Sequence, residues 1–549
     1  MKRIFYILFI SLFVTSCAKI GSPTGGGYDR TPPILVTSNP NINSTNFKGN
    51  SFELVFDEYV ELKNASEELM ISPPLKTKPQ IKEHSNRVKV GWDDTLNANT
   101  TYIFDFGSSI VDFNEGNVLG NFAYSFSTGN YIDSLEYRGM VVDAYSLRPV
   151  IKKYVMLYSD NDRNIVRKEK PNYITKTDSS GYFHFYNISE GEYHILVLDD
   201  QNQNLLYDLP NEGIAFSNKK IKANYYKNDT INKNHLIFEP LYYYDTKDTS
   251  IDLASNKLIS NHQLQLIFSN PTTDSLEIKF NYPKLSGLID KRIYVEYSQK
   301  KDTLTLWGLE INFDSIKFNI KDIGLNQDVE LYSNIRDNTP IKDTFLFIAP
   351  KLDFNYFSDC LLKMPIPIIN NDSNFFEAFA IKEKDTTKIN CKVYNKSPLY
   401  IKVGDNFQQN SKYTIIIKDG LIKNSLGQAN DSIIFKLNVD GVESYGNLLI
   451  TVKDSTINSK NIILILEDEK SKIIGQLSSF IGEKTLFRNL EQGIYKLKLV
   501  IDENNNGKWD CGNYDNAILP ERVIYFEKSI NVRKNWDIEE IWNLQPKNN

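Results

Sequence analysis

Cysteine is scarce in this chain: four in 549 residues, at 17, 360, 391 and 511. No C-x-x-C pair occurs, which removes the usual zinc and dithiol redox readings. Cys360 and Cys391 could pair within one domain, leaving Cys511 over. Histidine is as rare. His84, His184, His194, His235 and His262 form neither H-E-x-x-H nor H-x-x-E. G-x-S-x-G and the P-loop are also absent, so no familiar catalytic constellation is written in the sequence. Charge is mildly acidic, with 69 acidic against 63 basic residues and a net of −6, and no basic run. That balance argues against a nucleic-acid partner. No apolar run reaches bilayer-spanning length, and no long amphipathic helix is evident.

What is present begins at the N-terminus. Lys2 and Arg3 precede an apolar stretch, Ile4 to Phe13, and Val14-Thr15-Ser16 leads into Cys17. The stretch is too short to span a bilayer and fits an export signal over residues 1–16. Small residues ending in cysteine resemble the lipobox of bacterial lipoproteins. That resemblance implies acylation of the Cys17 sulfur, cleavage before it and acylation of the new N-terminus. Loss of Lys2 and Arg3 would take the net charge to −8. Several acyl chains, at about 0.8 kcal/mol per buried CH₂, anchor a protein stably. Residues 17–30 then form a lipidated, Gly-rich tether reaching roughly 20 Å. Ala18, rather than Asp, follows the cysteine, which fits the outer membrane. Lys19 and the lack of an acid before Asp29 leave the exposed face open.

From Thr31 the chain reads as short strands such as Phe52–Phe56, Val88–Val90 and Tyr102–Phe106, bounded by turn formers. Thr31-Pro32-Pro33, Val55-Phe56-Asp57-Glu58, Thr101-Tyr102, Asp112…Gly116-Asn117 and Phe126-Ser127-Thr128-Gly129 resemble the SbsA-type bacterial Ig-like domain, over 31–129. Residues 130–240 differ. Tyr137–Asp143, Thr177-Asp-Ser-Ser-Gly-Tyr-Phe-His-Phe185 and Gly191–Val197 resemble the carboxypeptidase regulatory-like, transthyretin-type sandwich. There Asp178 and Gly181 would form a hairpin turn, with Phe183 and Phe185 pointing inward.

The chain then repeats itself. Residues 187–208 align without a gap on 489–510, at a constant offset of 302. Asn187, Gly191, Tyr193, Asp200, Asn202, Asn204 and Asp208 meet Asn489, Gly493, Tyr495, Asp502, Asn504, Asn506 and Asp510. A second regulatory-like sandwich is expected over 441–535, followed by a tail, 536–549. A weaker echo, Asn410–Asp419 followed by Asn424–Gly427, suggests a second Ig-like domain over 351–440. Residues 241–350 read as an unassigned β domain, in which Leu309, Ile311 and Phe313, then Ile316, Phe318 and Ile320, alternate with polar residues. The expected fold class is all-β: tandem β-sandwiches behind a lipoprotein signal and tether.

The sharpest site is an Asp/Asn loop. Asp502, Asn504, Asn506 and Asp510 place side-chain oxygens at positions 1, 3, 5 and 9, with Gly507 at 6 and the Lys508 carbonyl at 7. A hard cation such as Ca²⁺ wants six to eight oxygens. The run resembles EF-hand-like loops and the calcium loops of Sdr-type B repeats, but Asn513 replaces the bidentate Glu at position 12. Asp200, Asn202, Asn204 and Asp208 form a weaker copy, with Leu205, a side chain that resists positive φ, where the glycine would be. Such a loop can also close on its own backbone. Nine Asp-Ser/Thr tripeptides that end in Leu, Ile or Thr, starting at Asp94, Asp133, Asp229, Asp274, Asp302, Asp314, Asp385, Asp431 and Asp454, resemble the O-glycosylation sequon of exported Bacteroidota proteins. Asp57 and Glu58 are adjacent on a strand and face opposite ways, which disfavours an acid pair. Trp92, Trp307, Trp509, Trp536 and Trp542 are expected in cores.

Taken together, the chain resembles Ig-like-domain lipoproteins of Bacteroidota. The resemblance implies location and architecture, and no reaction. The expected role is a non-enzymatic outer-membrane scaffold that binds another envelope protein. That partner could be an outer-membrane β-barrel machine for assembly, secretion or uptake. A glycan-binding surface lipoprotein is the second reading, and an enzyme with its site in 241–350 the third.

Overall fold

A computed structural model describes residues 28–160, 162–224, 239–245, 251–260, 263–280, 294–298, 301–307, 315–322, 324–332, 347–364, 366–368, 376–382, 385–393, 398–404, 407–424, 427–454 and 460–544. Cys17 and most of its tether, His235, His262, Asp229, Asp314, and Leu309, Ile311 and Phe313 lie outside them. Strands dominate, in two compact units: the described residues up to 143 with 148–243, and 144–147 with those from 244 onward.

The first unit opens with a sandwich. Leu35–Asn39, Ser51–Phe56, Arg87–Gly91 and Gln80–His84 form one sheet in that order; Met70–Ser72, Thr101–Asp105 and Ala123–Ser127 form the other. Alternating Phe52, Leu54 and Phe56 meet Val88, Val90, Tyr102, Phe104, Tyr124 and Phe126 in an aromatic core. The Phe52 and Tyr124 rings stack at 4.0 Å. Asp112 is buried, and its carboxylate accepts the N–H groups of Glu115, Gly116 and Asn117. That turn is the physical content of the Asp112…Gly116-Asn117 motif.

A second sandwich follows. Tyr182–Ile188, Leu135–Asp143 and Leu241–Tyr243 make one sheet. Tyr173–Lys176, Tyr154–Tyr158, Glu192–Leu198 and Ile214–Phe216 make the other, with Ile221–Lys222 also on Glu192–Leu198. The hairpin turn forms as the sequence implies. Asp178 Oδ1 accepts from Ser180 and Tyr182 N–H, and Phe183 and Phe185 are buried. Gly181 sits at φ 76°, where a Cβ would come within 2.5 Å of the Val141 carbonyl oxygen.

Its repeat, in the second unit, has the same order: Lys484–Leu490, Gly446–Asp454 and Asp537–Leu544 face Ile473–Phe480, Asn461–Asp468, Gly493–Ile501 and Val523–Tyr525, with Ile530–Val532 on Gly493–Ile501. Two boundaries are corrected here. Leu241–Tyr243 pairs in parallel with Val141–Asp143, so the first sandwich runs past 240. The segment expected as a tail holds Asp537–Leu544, which pairs in parallel with Asn447–Asp454 and closes the second.

The region 241–350 holds another sandwich. Leu253–Ser260, Gln263–Phe268, Thr303–Trp307 and Tyr294–Tyr297 lie in one sheet; Glu277–Phe280, Ser315–Asp322 and Leu325–Tyr332 lie in the other. Phe318 and Ile320 are buried, as their alternation predicts. Between 353 and 439, seven strands form one sheet around a core of its own. The local echo of the Ig-like domain is kept there. Tyr413 Oη accepts from Gln408 N–H at 3.0 Å, as Tyr102 Oη does from Asn97 N–H at 2.9 Å. Cys360 and Cys391 are free and buried, with thiols pushed up to about 12 by burial, so the pairing their placement allowed is not made. Trp92 and Trp542 lie in cores, but Trp536 is 56% exposed, beneath the Arg533 guanidinium.

Candidate functional site: paired Asp/Asn loops

Each repeated sandwich carries its Asp/Asn loop directly after a central strand, Glu192–Leu198 or Gly493–Ile501. The first aspartate of each is nearly buried, Asp200 at 9% and Asp502 at 4% exposed. In the C-terminal loop the Asp502 carboxylate accepts from Asn506 N–H at 3.1 Å and Gly507 N–H at 2.9 Å. Asn504 Oδ1 accepts from Asn506 N–H, and Asn506 Oδ1 from Lys508 N–H. Both side-chain amides donate to Asp510 Oδ2, at 2.6 and 2.5 Å. The sequence-predicted residues therefore converge, with Asp510 at the centre.

The weaker copy repeats the network. Asp200 accepts from Asn204 and Leu205 N–H, Asn202 Oδ1 from Asn204 N–H, and Asn204 Oδ1 from Leu206 N–H. Asn202 and Asn204 Nδ2 donate to Asp208. Leu205 does not prevent the turn: it takes φ 62°, against 73° at Gly507. The expectation that Leu205 resists this conformation is corrected. The loop's hydrogen bonds outweigh the roughly 1–2 kcal/mol that a side chain costs there.

One pair of residues escaped the sequence reading. Glu521 Oε1 accepts from Glu503 N–H at 2.8 Å, and its Oε2 from Asp510 N–H at 3.1 Å. Glu212 does the same with Gln201 and Asp208 N–H. A buried glutamate thus clasps positions 2 and 9 of each loop from outside the aligned block. The signal was there: Leu209-Pro210 and Leu519-Pro520 both lead into these glutamates, once an eight-residue insertion before Leu519 and the loss of the residue matching Asn211 are allowed. Burial, with Asp510 and Asp502 nearby, holds the Glu521 carboxyl above its usual range.

The donor set is all oxygen, as a hard cation requires, and each hydrogen-bonded oxygen except Asp510 Oδ2, which accepts twice, keeps a second lone pair. The same bonds close the loop without metal. Among the described residues, no three of His, Cys, Asp or Glu are grouped to hold an ion, so ligation would need the asparagine oxygens and the Lys508 carbonyl beside Asp502 and Asp510.

The remaining singled-out residues are not gathered. His184 contacts Glu136 and Arg138 on one sheet face, while His194 lies on another strand. Asp57 and Glu58 lie in a bend after Ser51–Phe56 rather than on a strand as expected; Asp57 accepts from Ile34 N–H, and burial, with Asp112, Asp57 and Asp29 nearby, holds the Glu58 carboxyl above its usual range. Of the described tripeptides, Thr95, Ser134, Ser275, Thr386 and Ser432 are exposed, and Thr303 is half-buried. No helix among the described residues is long and apolar enough to cross a membrane.

Residues 29–128 match the family described as bacterial Ig-like domain, so the chain carries such a domain. Among curated proteins none matches. Similar solved structures include the S-layer protein rSbsC(31-844), at 10% identity over 91% of this chain and 67% of that one, TM-score 0.14. The Bacillus anthracis TIE protein is 12% identical over 99% and 79%, TM-score 0.14. BcpA, the major pilin subunit of Bacillus cereus, is 10% identical over 74% and 99%, TM-score 0.15. Likeness at these scores carries no argument here.

Proposed function

We propose that this protein is a lipid-anchored, non-catalytic scaffold of a bacterial outer membrane that holds another envelope protein, such as a β-barrel machine. The observation that carries the reading is the hydrogen-bonded joint between the Ig-like domain and the first repeated sandwich. Ile174 N–H donates to Ser72 Oγ at 3.1 Å, Lys170 Nζ to the Leu75 carbonyl at 2.9 Å and Lys176 Nζ to the Glu67 carbonyl at 2.6 Å. Two domains so joined present one continuous surface, which lowers the ordering cost of binding a partner. Native co-purification in mild detergent tests it: a partner recovered repeatedly supports the scaffold, and repeated recovery of the chain alone refutes it. The Cys17 motif supplies the anchor. Cys17→Ser is expected to release the protein from membranes while the sandwiches still fold, checked by fractionation and circular dichroism.

A glycan partner is the second reading. A cleft of about 630 Å³ at that joint is lined by Lys76, Asn97, Thr100, Lys170 and Asn172. Its Tyr173 and Tyr193 rings are buried and offer hydroxyl edges rather than stacking faces. Glycan-array binding lost on Asn172→Ala would support it. We also propose Ca²⁺ as a structural ligand of the Asp502 loop, and more weakly of the Asp200 loop, because each gathers two aspartates and two asparagines in one tight turn.

A further inference from the structure

The strand Ile473–Phe480 lies at the edge of its sheet and, among the described residues, pairs only with Asn461–Asp468. Its eight residues, IIGQLSSF, contain neither charge nor proline. Soluble proteins normally shorten, charge or cover such edges. Elsewhere this chain does so: Lys82 and Glu83 mark Gln80–His84, Glu296 marks Tyr294–Tyr297, and Glu539 and Glu540 mark Asp537–Leu544. The counterpart in the first repeated sandwich is Tyr173–Lys176. It is four residues long, and the Ig-like domain covers it. Met156 opposes Ile174 there, as Ile465 opposes Gln476 here. Gln476 therefore occupies the place of Ile174, whose N–H points off the edge to Ser72. Among the described residues no strand or domain covers this edge in the second copy, although Gln476 Nε2 donates to the Gly507 carbonyl at 3.2 Å and the ladder to Asn461–Asp468 bulges between Gly475 and Ile473.

The bare edge is also self-complementary. Leu477 and Ser479 turn toward the core. Gln476 and Ser478, opposite Ile465 and Ile463, share the other face with Ile474 and Phe480. Ile474 is 42% and Phe480 52% exposed, one at each end. Antiparallel pairing of two such strands about Leu477 sets Ile474 of each against Phe480 of the other, and Gln476 against Ser478. Apolar meets apolar, polar meets polar, and no like charges oppose. We propose that two copies of this chain pair through this edge, about a two-fold axis at Leu477, joining two sheets into one.

Sedimentation of the full-length chain in density-matched detergent tests this. The expected species is a concentration-dependent dimer of the lipid-anchored chain. Ile474→Lys with Phe480→Lys places two like-charged pairs across the axis and is expected to weaken association at least ~10-fold. Ile474→Lys with Phe480→Glu is expected to restore the dimer, which generic stickiness would not do. A wild type that stays monomeric, a doubly lysine variant that dimerises unchanged, or a swap that fails to restore pairing overturns the proposal. So does recovery of an unrelated strand at this edge. Wild-type hydrogen exchange is a measurement free of variants: Gln476 and Ser478 amides should slow as concentration rises, and no slowing counts against pairing.

Discussion

The two repeated sandwiches, 135–243 and 446–544, share a strand order and a loop network but fill equivalent positions with opposite chemistry. In the second, Lys498 and Glu467 form an ion pair at 2.5 Å, with the two side chains 2% and 6% exposed. In the first, the same positions hold Leu196 and Tyr158, both buried. The equivalence follows from register, since Leu196 opposes Met156 as Lys498 opposes Ile465. Burial works to lower the Lys498 pKa, but its bond to Glu467 prevails and holds it above the ordinary range. The reverse exchange occurs on the other sheet. Glu136, Arg138 and His184 form a polar trio, with Glu136 Oε2 at 2.6 Å from Arg138 Nη2 and 2.8 Å from His184 Nε2. Asn447, Leu449 and Leu486 replace it in the second copy. One fold thus tolerates a charged or an apolar solution at either place, provided each is complete.

Breaking the ion pair should give the largest effect. Lys498→Leu alone strands a buried carboxylate and is expected to cost about 3–5 kcal/mol. Adding Glu467→Tyr, the solution of the first copy, should recover most of it. Hydrogen exchange of the Gly493–Ile501 amides in the full chain reads both; equal losses in the single and double variants would show that the two solutions are not interchangeable.

Calcium should sharpen the comparison of the loops. At a hundredfold excess over its dissociation constant, binding to the native loop alone stabilises by about 2.7 kcal/mol. Protection of the 502–510 backbone is expected to rise with calcium and to fall on chelation, more than at 200–208. Asp502→Ala should abolish the response. An identical exchange pattern with millimolar calcium and with chelator would leave both loops as turns closed by their own hydrogen bonds.

The smallest effect expected is on pH. Burial is the main force holding the His184 pKa below its ordinary value, with Glu136, Arg138 and Tyr186 around the ring. The unfolded chain takes up a proton near the usual pKa of about 6.5, which the folded state resists, so stability is lost as pH falls through that value. Lowering pH from 7.5 to 5.5 should weaken protection of Tyr182–Ile188 and leave Lys484–Leu490 unchanged. His184→Leu should remove the difference; a loss that persists in that variant would point to another group.

Much of this architecture was legible because it recurs. The constant offset between Asp200 and Asp502 exposed the duplication, and alternating Phe183 and Phe185 marked an inward face. Both closing strands were missed for a physical reason. Leu241–Tyr243 offers only three residues, and the alternation of Ile538, Trp542 and Leu544 is broken by surface acids. Glu212 and Glu521 escaped because a carboxylate that binds backbone N–H groups has no periodicity to betray it. Leu205 misled in the other direction: local propensity spoke against a conformation that six side-chain hydrogen bonds impose.

The closing strand of the last sandwich has a mechanical consequence. Asn447–Asp454 and Asp537–Leu544 lie side by side and run the same way, with eight residues in continuous register. The backbone therefore enters at one end of that sheet and leaves at the other. Tension applied between entry and exit slides the two strands past each other, so the evenly spaced rungs of the ladder share the load instead of opening one at a time. The first copy engages only three residues in the same way, from Val141↔Leu241 to Asp143↔Tyr243. Under a pull along the chain, the short ladder is the one expected to yield first.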